Sequence, residues 1–165
     1  MKELIIIPNK SIGVIKLGME REQVEKLFDY KCEEEEQIGE LLSVRYNRSR
    51  IIILYENNKV VEITLDSSIS EEYNVILEEI NLFTTKVEDI IKYLRNYSEY
   101  SYNSNDELLS TEYIFKDLGI IFWRESAFHP KLLDEDWFLE MSDENQEYEK
   151  KFWYFNTLTL SSIQN

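Results

Sequence analysis

The chain has 165 residues, with 18 Lys and Arg against 33 Asp and Glu, a formal charge of −15. A balance this acidic argues against nucleic acid as a ligand, because phosphate recognition needs a basic face. The 43% apolar and 13% aromatic content excludes a disordered acidic tail and supplies a core for a single domain over residues 1–165. The acidity is even: residues 1–82 carry a net −7 and residues 83–165 a net −8, so the folded surface as a whole is negative. The apolar run at Leu4–Ile7 is too short for a secretory leader, no window reaches the roughly 18–20 apolar residues of a membrane span, and a soluble cytoplasmic protein is expected. The single cysteine, Cys32, excludes an internal disulfide, and Glu33–Glu36 beside it are expected to raise its thiol pKa.

Residues 4–7 read as a short strand before a turn at Pro8-Asn9-Lys10. Ser11 to Met19 carries two of the four glycines, which mark tight backbone. A helix is expected after Gly18, with Glu20 and Glu22 in its first turn and Val24, Leu27 and Phe28 on its apolar face. Glu33–Glu36 reads as a solvated loop. Strands follow at Leu41–Tyr46, Ile51–Tyr55 and Val60–Leu65, the last two joined by Glu56-Asn57-Asn58; Val61, Ile63 and Leu65 are expected on one face.

The second half repeats this order. Thr84 or Thr85 is placed to cap a helix whose stripe is Val87, Ile90, Ile91 and Leu94. A polar stretch from Ser98 to Asp106 precedes strands at Glu112–Phe115 and Ile120–Trp123. A final strand is expected over Trp153–Leu160, with Phe155 and Thr157 on one face and Leu158 on the other. At an offset of 66, Leu17, Val24, Leu27 and Phe28 fall on Phe83, Ile90, Tyr93 and Leu94; at 68, Ile52–Tyr55 fall on Ile120–Trp123. The fold class expected is α+β: two αβββ-like repeats, about 1–68 and 80–165, forming one antiparallel sheet with helices on one face. An insertion of about 124–151 interrupts the second repeat, with a helix at Ser142–Lys151 capped by Ser142.

Catalytic signatures are missing from the sequence: it has no GxGxxG, GxxxxGK[ST], HExxH or GxSxG, so a non-enzyme without cofactor is expected. His129, the only histidine, lies near Asp134, Glu135 and Asp136, but one imidazole and three adjacent acids define no metal geometry. Arg45, Arg48 and Arg50 form the one basic patch and are expected to pair across the sheet. Tyr93, Tyr97 and Tyr100 line one face if their helix extends that far, with Tyr102 following. The candidate contact site is Asp134, Glu135, Asp136, Trp137 and Phe138, three acids before two large aromatics in an insertion. Two roles fit those aromatics equally, a plug onto the core or a binding anchor.

Ile7-Pro8-Asn9-Lys10-Ser11-Ile12-Gly13, then Leu17-Gly18-Met19, Leu82-Phe83-Thr84, Gly119 to Arg124 and Tyr154-Phe155, resemble the motifs of a set of small bacterial proteins. The unit of Leu17-Gly18-Met19 and helix also looks like the tandem module of the beta-lactamase-inhibitor-protein and small outer-membrane lipoprotein folds; a departure from the lipoproteins is expected, without their leader and N-terminal cysteine. Proteins of this kind are similar to toxin-neutralising immunity proteins, which implies a protein partner and no catalytic residues; the net charge of −15 points to a basic one. A peptide- or ligand-binding scaffold, with acidity serving solubility, is the alternative.

Overall fold

A computed structural model describes residues 1–163. The chain is α+β, and its two halves meet in one large antiparallel sheet. In the first half, helix α1 (Arg21–Leu27) precedes β4 (Glu34–Ile38), β5 (Leu41–Tyr46), β6 (Ile51–Glu56) and β7 (Lys59–Asp66). In the second, α2 (Val87–Leu94) precedes β10 (Ser101–Tyr102), β11 (Glu112–Phe115), β12 (Ile120–Trp123) and β13 (Thr157–Ser161). The eight strands lie in the order β10-β11-β12-β13-β7-β6-β5-β4. Each half therefore runs from an edge to the centre, and the halves join where β13 pairs with β7.

Each repeat has four strands where three were expected. The added strand in the first half is β4, built from glutamates read as a solvated loop. A polar run accepts a strand here because it is an edge, exposed on both faces, where charge also discourages pairing with other chains. Its carboxylates are engaged locally: Glu34 with Arg45 at 3.3 Å, Glu35 with Arg21, and Glu33 with the backbone N–H groups of Arg48 and Ser49.

A second, smaller sheet was not anticipated. Its order is β3 (Ile15–Lys16), β2 (Ser11–Ile12), β1 (Lys2–Ile7), β8 (Tyr73–Leu77), β9 (Ile80–Asn81). Within it β1 and β8 run parallel, Leu4 opposite Val75, so the sheets are not all antiparallel. Asn9, at a φ of 57°, donates its side-chain N–H to the Asp117 carbonyl at 2.7 Å and its backbone N–H to Leu118. Gly119 stands against this contact at a φ of 66°, where an added Cβ would meet Asn9 Oδ1 at 2.6 Å.

One face of the large sheet is buried. Val44 and Tyr46, Ile51, Ile53 and Tyr55, Val60, Ile63 and Leu65, Leu158 and Leu160, Ile120 and Phe122, and Tyr113 and Phe115 all point into one core. Val24 of α1 and Val87, Ile90, Ile91 and Leu94 of α2 belong to that core, as do Ile6, Ile12, Ile15, Val75 and Leu77 of the smaller sheet. The buried hydroxyls of Tyr46 and Tyr55 meet at 3.0 Å, which satisfies two groups that would otherwise be costly inside.

Four local expectations are corrected. A register shift between Leu54 and Tyr55 changes the phase of β7, so Val60, not Val61, points inward with Ile63 and Leu65. The offset of 68 is out of phase: Ile51, Ile53 and Tyr55 are buried in β6 but Ile120 and Phe122 in β12, which needs an odd offset. Helix α2 is entered at Lys86, with no side-chain cap from Thr84 or Thr85. Residues 151–153 form a 3₁₀ turn, so β13 starts at Thr157; Leu158 and Leu160 face in, Thr157 and Thr159 out.

Candidate functional site

The insertion leaves the sheet after β12 and returns before β13. It folds as two short helices, α3 (Asp136–Leu139) and α4 (Asp143–Lys150), around a small core of its own made of Phe128, Phe138 and Phe152 with Leu132, Leu133, Met141 and Trp153. Helix α4 starts where its sequence indicates: Ser142 Oγ accepts the Asn145 N–H at 3.3 Å. The insertion is fastened by Arg124, a fully buried side chain. Its guanidinium donates to the carbonyls of Ser110 at 2.9 Å, Phe128 at 3.0 Å, Phe152 at 2.8 Å and Leu108 at 3.0 Å. Burial pushes the Arg124 pKa down, with Tyr113 opposing. The Lys131–Asp106 ion pair makes a second tie, and Lys86 lies 4.1 Å over the Trp153 ring.

The five candidate residues separate into two roles. Phe138 is 2% exposed and packs with Phe128 at 5.5 Å between ring centroids, so it is the plug. Trp137 is 44% exposed and stands edge-on to Phe138. Leu139, two residues on, is 59% exposed. Asp134, Glu135 and Asp136 are all exposed beside them, at the entry of α3, where the helix N-terminus favours negative charge. Glu140, Asp143 and Glu144 continue the acidity past Leu139, all exposed. The surface offers one exposed aromatic, Trp137, edged by carboxylates on a braced loop, with Leu139 exposed on the other side of Phe138.

Other candidates resolve more plainly. His129 Nδ1 accepts the Lys131 N–H at 3.1 Å, a local cap, and no group of three or more metal-ligating side chains converges among the described residues. Helix α2 stops at Leu94, so Tyr100 leaves the Tyr93–Tyr97 pair and packs on Phe115 at 5.0 Å. Arg45 pairs with Glu34 across the sheet as expected, while Arg50 turns to Glu71 and Glu72. Slight desolvation, and then Glu35, push the thiol of the exposed Cys32 up, which works against a reactive thiolate. Among the described residues no helix is long and apolar enough to cross a membrane.

The outer face of the large sheet, opposite the helices, is the other surface expected to be left for a partner. Its central row, read from the strand registers, is Glu34, Arg45, Ile52, Thr64, Thr159, Ile121, Ile114 and Ser101. None of the apolar members belongs to either core, and Thr64 and Thr159 hydrogen-bond at 2.8 Å across the join of the halves. Glu62 lies in the adjacent row with Leu54 and Ser161, with no cation in ion-pairing range among the described residues.

Desolvation raises the Glu62 pKa, and the Ser161 hydroxyl only partly offsets it. A carboxyl with a raised folded-state pKa favours the fold when protonated, and that contribution is lost as pH rises through the folded value. Glu62→Gln therefore melts above the wild type at pH 7, and the difference closes as pH falls below the ordinary glutamate value of about 4.3. Thermal melts at several pH values read this directly, and a gap that widens toward low pH would contradict it.

Comparison with protein-family models, with curated proteins and with solved structures finds no match to this chain.

Proposed function

We propose that the chain is a non-catalytic cytoplasmic binding protein, an immunity protein that occludes a basic toxin such as a nuclease. The observation that carries this reading is the exposed Trp137, set beside Asp134, Glu135 and Asp136 on an insertion held by its own core and by Arg124. A large rigid apolar anchor inside a polar rim is the form that concentrates binding energy at protein interfaces. The net charge of −15 adds long-range attraction toward a basic partner and speeds encounter. A nuclease keeps a positive site for phosphate, which carboxylates can fill in its place.

Co-purification from the native host, followed by association kinetics at several salt concentrations, tests the proposal. The association rate is expected to fall by about tenfold or more between low and physiological salt. The triple variant Asp134→Asn, Glu135→Gln, Asp136→Asn is expected to keep its fold by circular dichroism and to lose part of that salt dependence, since a net −12 of the −15 remains. Trp137→Ala is expected to raise the dissociation rate, at a cost of about 2 kcal/mol or more in binding. Full retention of binding by both variants would remove the insertion from the interface.

A second reading, a scaffold that binds a peptide or small ligand, is favoured by a separate feature. A cleft of about 430 Å³ opens beside α1, within the size range of ligand sites.

A further inference from the structure

That cleft lies between the smaller sheet, the end of α1 and the turn joining β5 to β6. Its lining is apolar: Leu4 from β1, Ile12 and Ile15 from β2 and β3, Phe28 from the end of α1, and Ile51 from β6. Leu27, exposed, stands at its mouth. An apolar hollow of this size, open to water, gains by taking up a hydrocarbon chain.

Its polar rim carries charges of both signs. Glu33, Glu72, Lys31 and Arg48 all border the cleft, two acids and two bases. The two carboxylates are already engaged. Glu33 accepts the backbone N–H groups of Arg48 and Ser49 together with the Ser49 hydroxyl at 3.2 Å, and Glu72 accepts Arg50 at 2.7 Å. Neither Lys31 nor the Arg48 side chain has a carboxylate in ion-pairing range among the described residues. The mouth therefore presents two cations without an ion-pair partner, over an apolar hollow and beside carboxylates whose hydrogen bonds are already made.

The backbone holds one of those cations in place. Asn47, Arg48 and Ser49 are all left-handed, with φ of 52°, 56° and 59°. Such a turn of non-glycine residues is costly and persists because Glu33 ties down its N–H groups.

We propose that this cleft binds a single-chain amphiphile with an anionic head, its hydrocarbon chain on Leu4, Ile12, Ile15, Phe28 and Ile51 and its carboxylate at Lys31 and Arg48. The proposal rests on the second reading above, whose ligand class it names, and is independent of the insertion.

Decanoate, kept below its micelle-forming concentration, is the probe, followed by amide chemical shifts and calorimetry on the full chain. Shifts are expected at residues 12–15, 27–31 and 47–51. Decanoate is expected to bind about tenfold tighter than octanoate, since each buried methylene contributes about three- to fourfold. The double variant Lys31→Gln, Arg48→Gln is expected to weaken decanoate about tenfold while leaving neutral decanol unchanged, because only the head contacts are lost. Leu27→Trp, at an exposed position, narrows the mouth and is expected to weaken both ligands with the fold intact.

Absence of binding, shifts centred on another surface, decanol binding as tightly as decanoate, or an undiminished double variant would each overturn the proposal. A neutral apolar peptide that shifts the same residues where decanoate does not would also overturn it, while leaving the scaffold reading standing.

Discussion

Arg124→Met is expected to destabilise the protein by about 2–4 kcal/mol, because buried carbonyls left without donors each carry a desolvation penalty of about 1–3 kcal/mol that only partly adds. The four carbonyls come from Leu108, Ser110, Phe128 and Phe152, so one planar group joins the 3₁₀ turn leading to β11, the start of the insertion and its end. Methionine fills much of the volume but donates nothing. Arg124→Lys keeps the charge, yet three tetrahedral donors on a flexible stem cannot serve four carbonyls arranged around a planar fork, so only part of the loss returns. Urea unfolding reads the global effect. Limited proteolysis between residues 125 and 151 reads the local one, since the small core of Phe128, Phe138 and Phe152 depends on the same fastening. A loss under about 0.5 kcal/mol, the range of an ordinary surface substitution, would show that the insertion holds without it. Loss of Arg124 is also expected to weaken partner binding through Trp137, which Arg124 does not touch.

Phe122→Ala is expected to cost about 3–5 kcal/mol, the range for removing a buried aromatic from a core that cannot collapse. The Phe122 ring stacks on Phe155 at 4.6 Å and meets Phe115 edge-on at 6.0 Å, and Tyr113 meets Phe155 at 5.8 Å. These four rings join β11, β12 and the segment before β13. The neighbouring residue is the control. Trp123, on the opposite face of β12, is 40% exposed, and Trp123→Ala is expected to cost under about 1 kcal/mol. Chemical denaturation of both variants separates them. Equal losses would mean that β12 presents the wrong residue to the core.

Much of this architecture is legible along the chain because it rests on local periodicity. Val87, Ile90, Ile91 and Leu94 mark α2 by spacing alone, and all four are buried. Asn57 and Asn58 take positive φ in the hairpin where their side chains predict it. The two-repeat order is visible for the same reason, since helix and strand patterns recur in the same sequence. Phase is less accessible: Val60 replaces Val61 in the core because a bulge shifts β7 against β6, and nothing in the alternation of either strand marks it. The parallel pair of β1 and β8 is equally hidden, because Leu4 and Val75 meet across some seventy residues of chain. Glutamates 34–36 become a strand only because β5 offers an unpaired edge.

The candidate site divides the same way. Asp134, Glu135, Asp136, Trp137 and Phe138 stand out from composition and from their place in an insertion, yet the two aromatics are interchangeable on paper. Adjacent helix positions point about 100° apart, so packing turns Phe138 onto Phe128 and leaves Trp137 to the solvent. Arg124 reads as the end of a strand motif, and only the convergence of three segments makes it a fastener. By itself the sequence determined the α+β class, the tandem order, the negative surface and the acidic, aromatic character of the insertion, all of which follow from residue type and local spacing. The tertiary structure decided which aromatic is offered outward, which face of the large sheet stays open, and that a cleft forms between residues as distant as Leu4 and Tyr73. Those are matters of register and long-range packing, and residues far apart in the chain set them together.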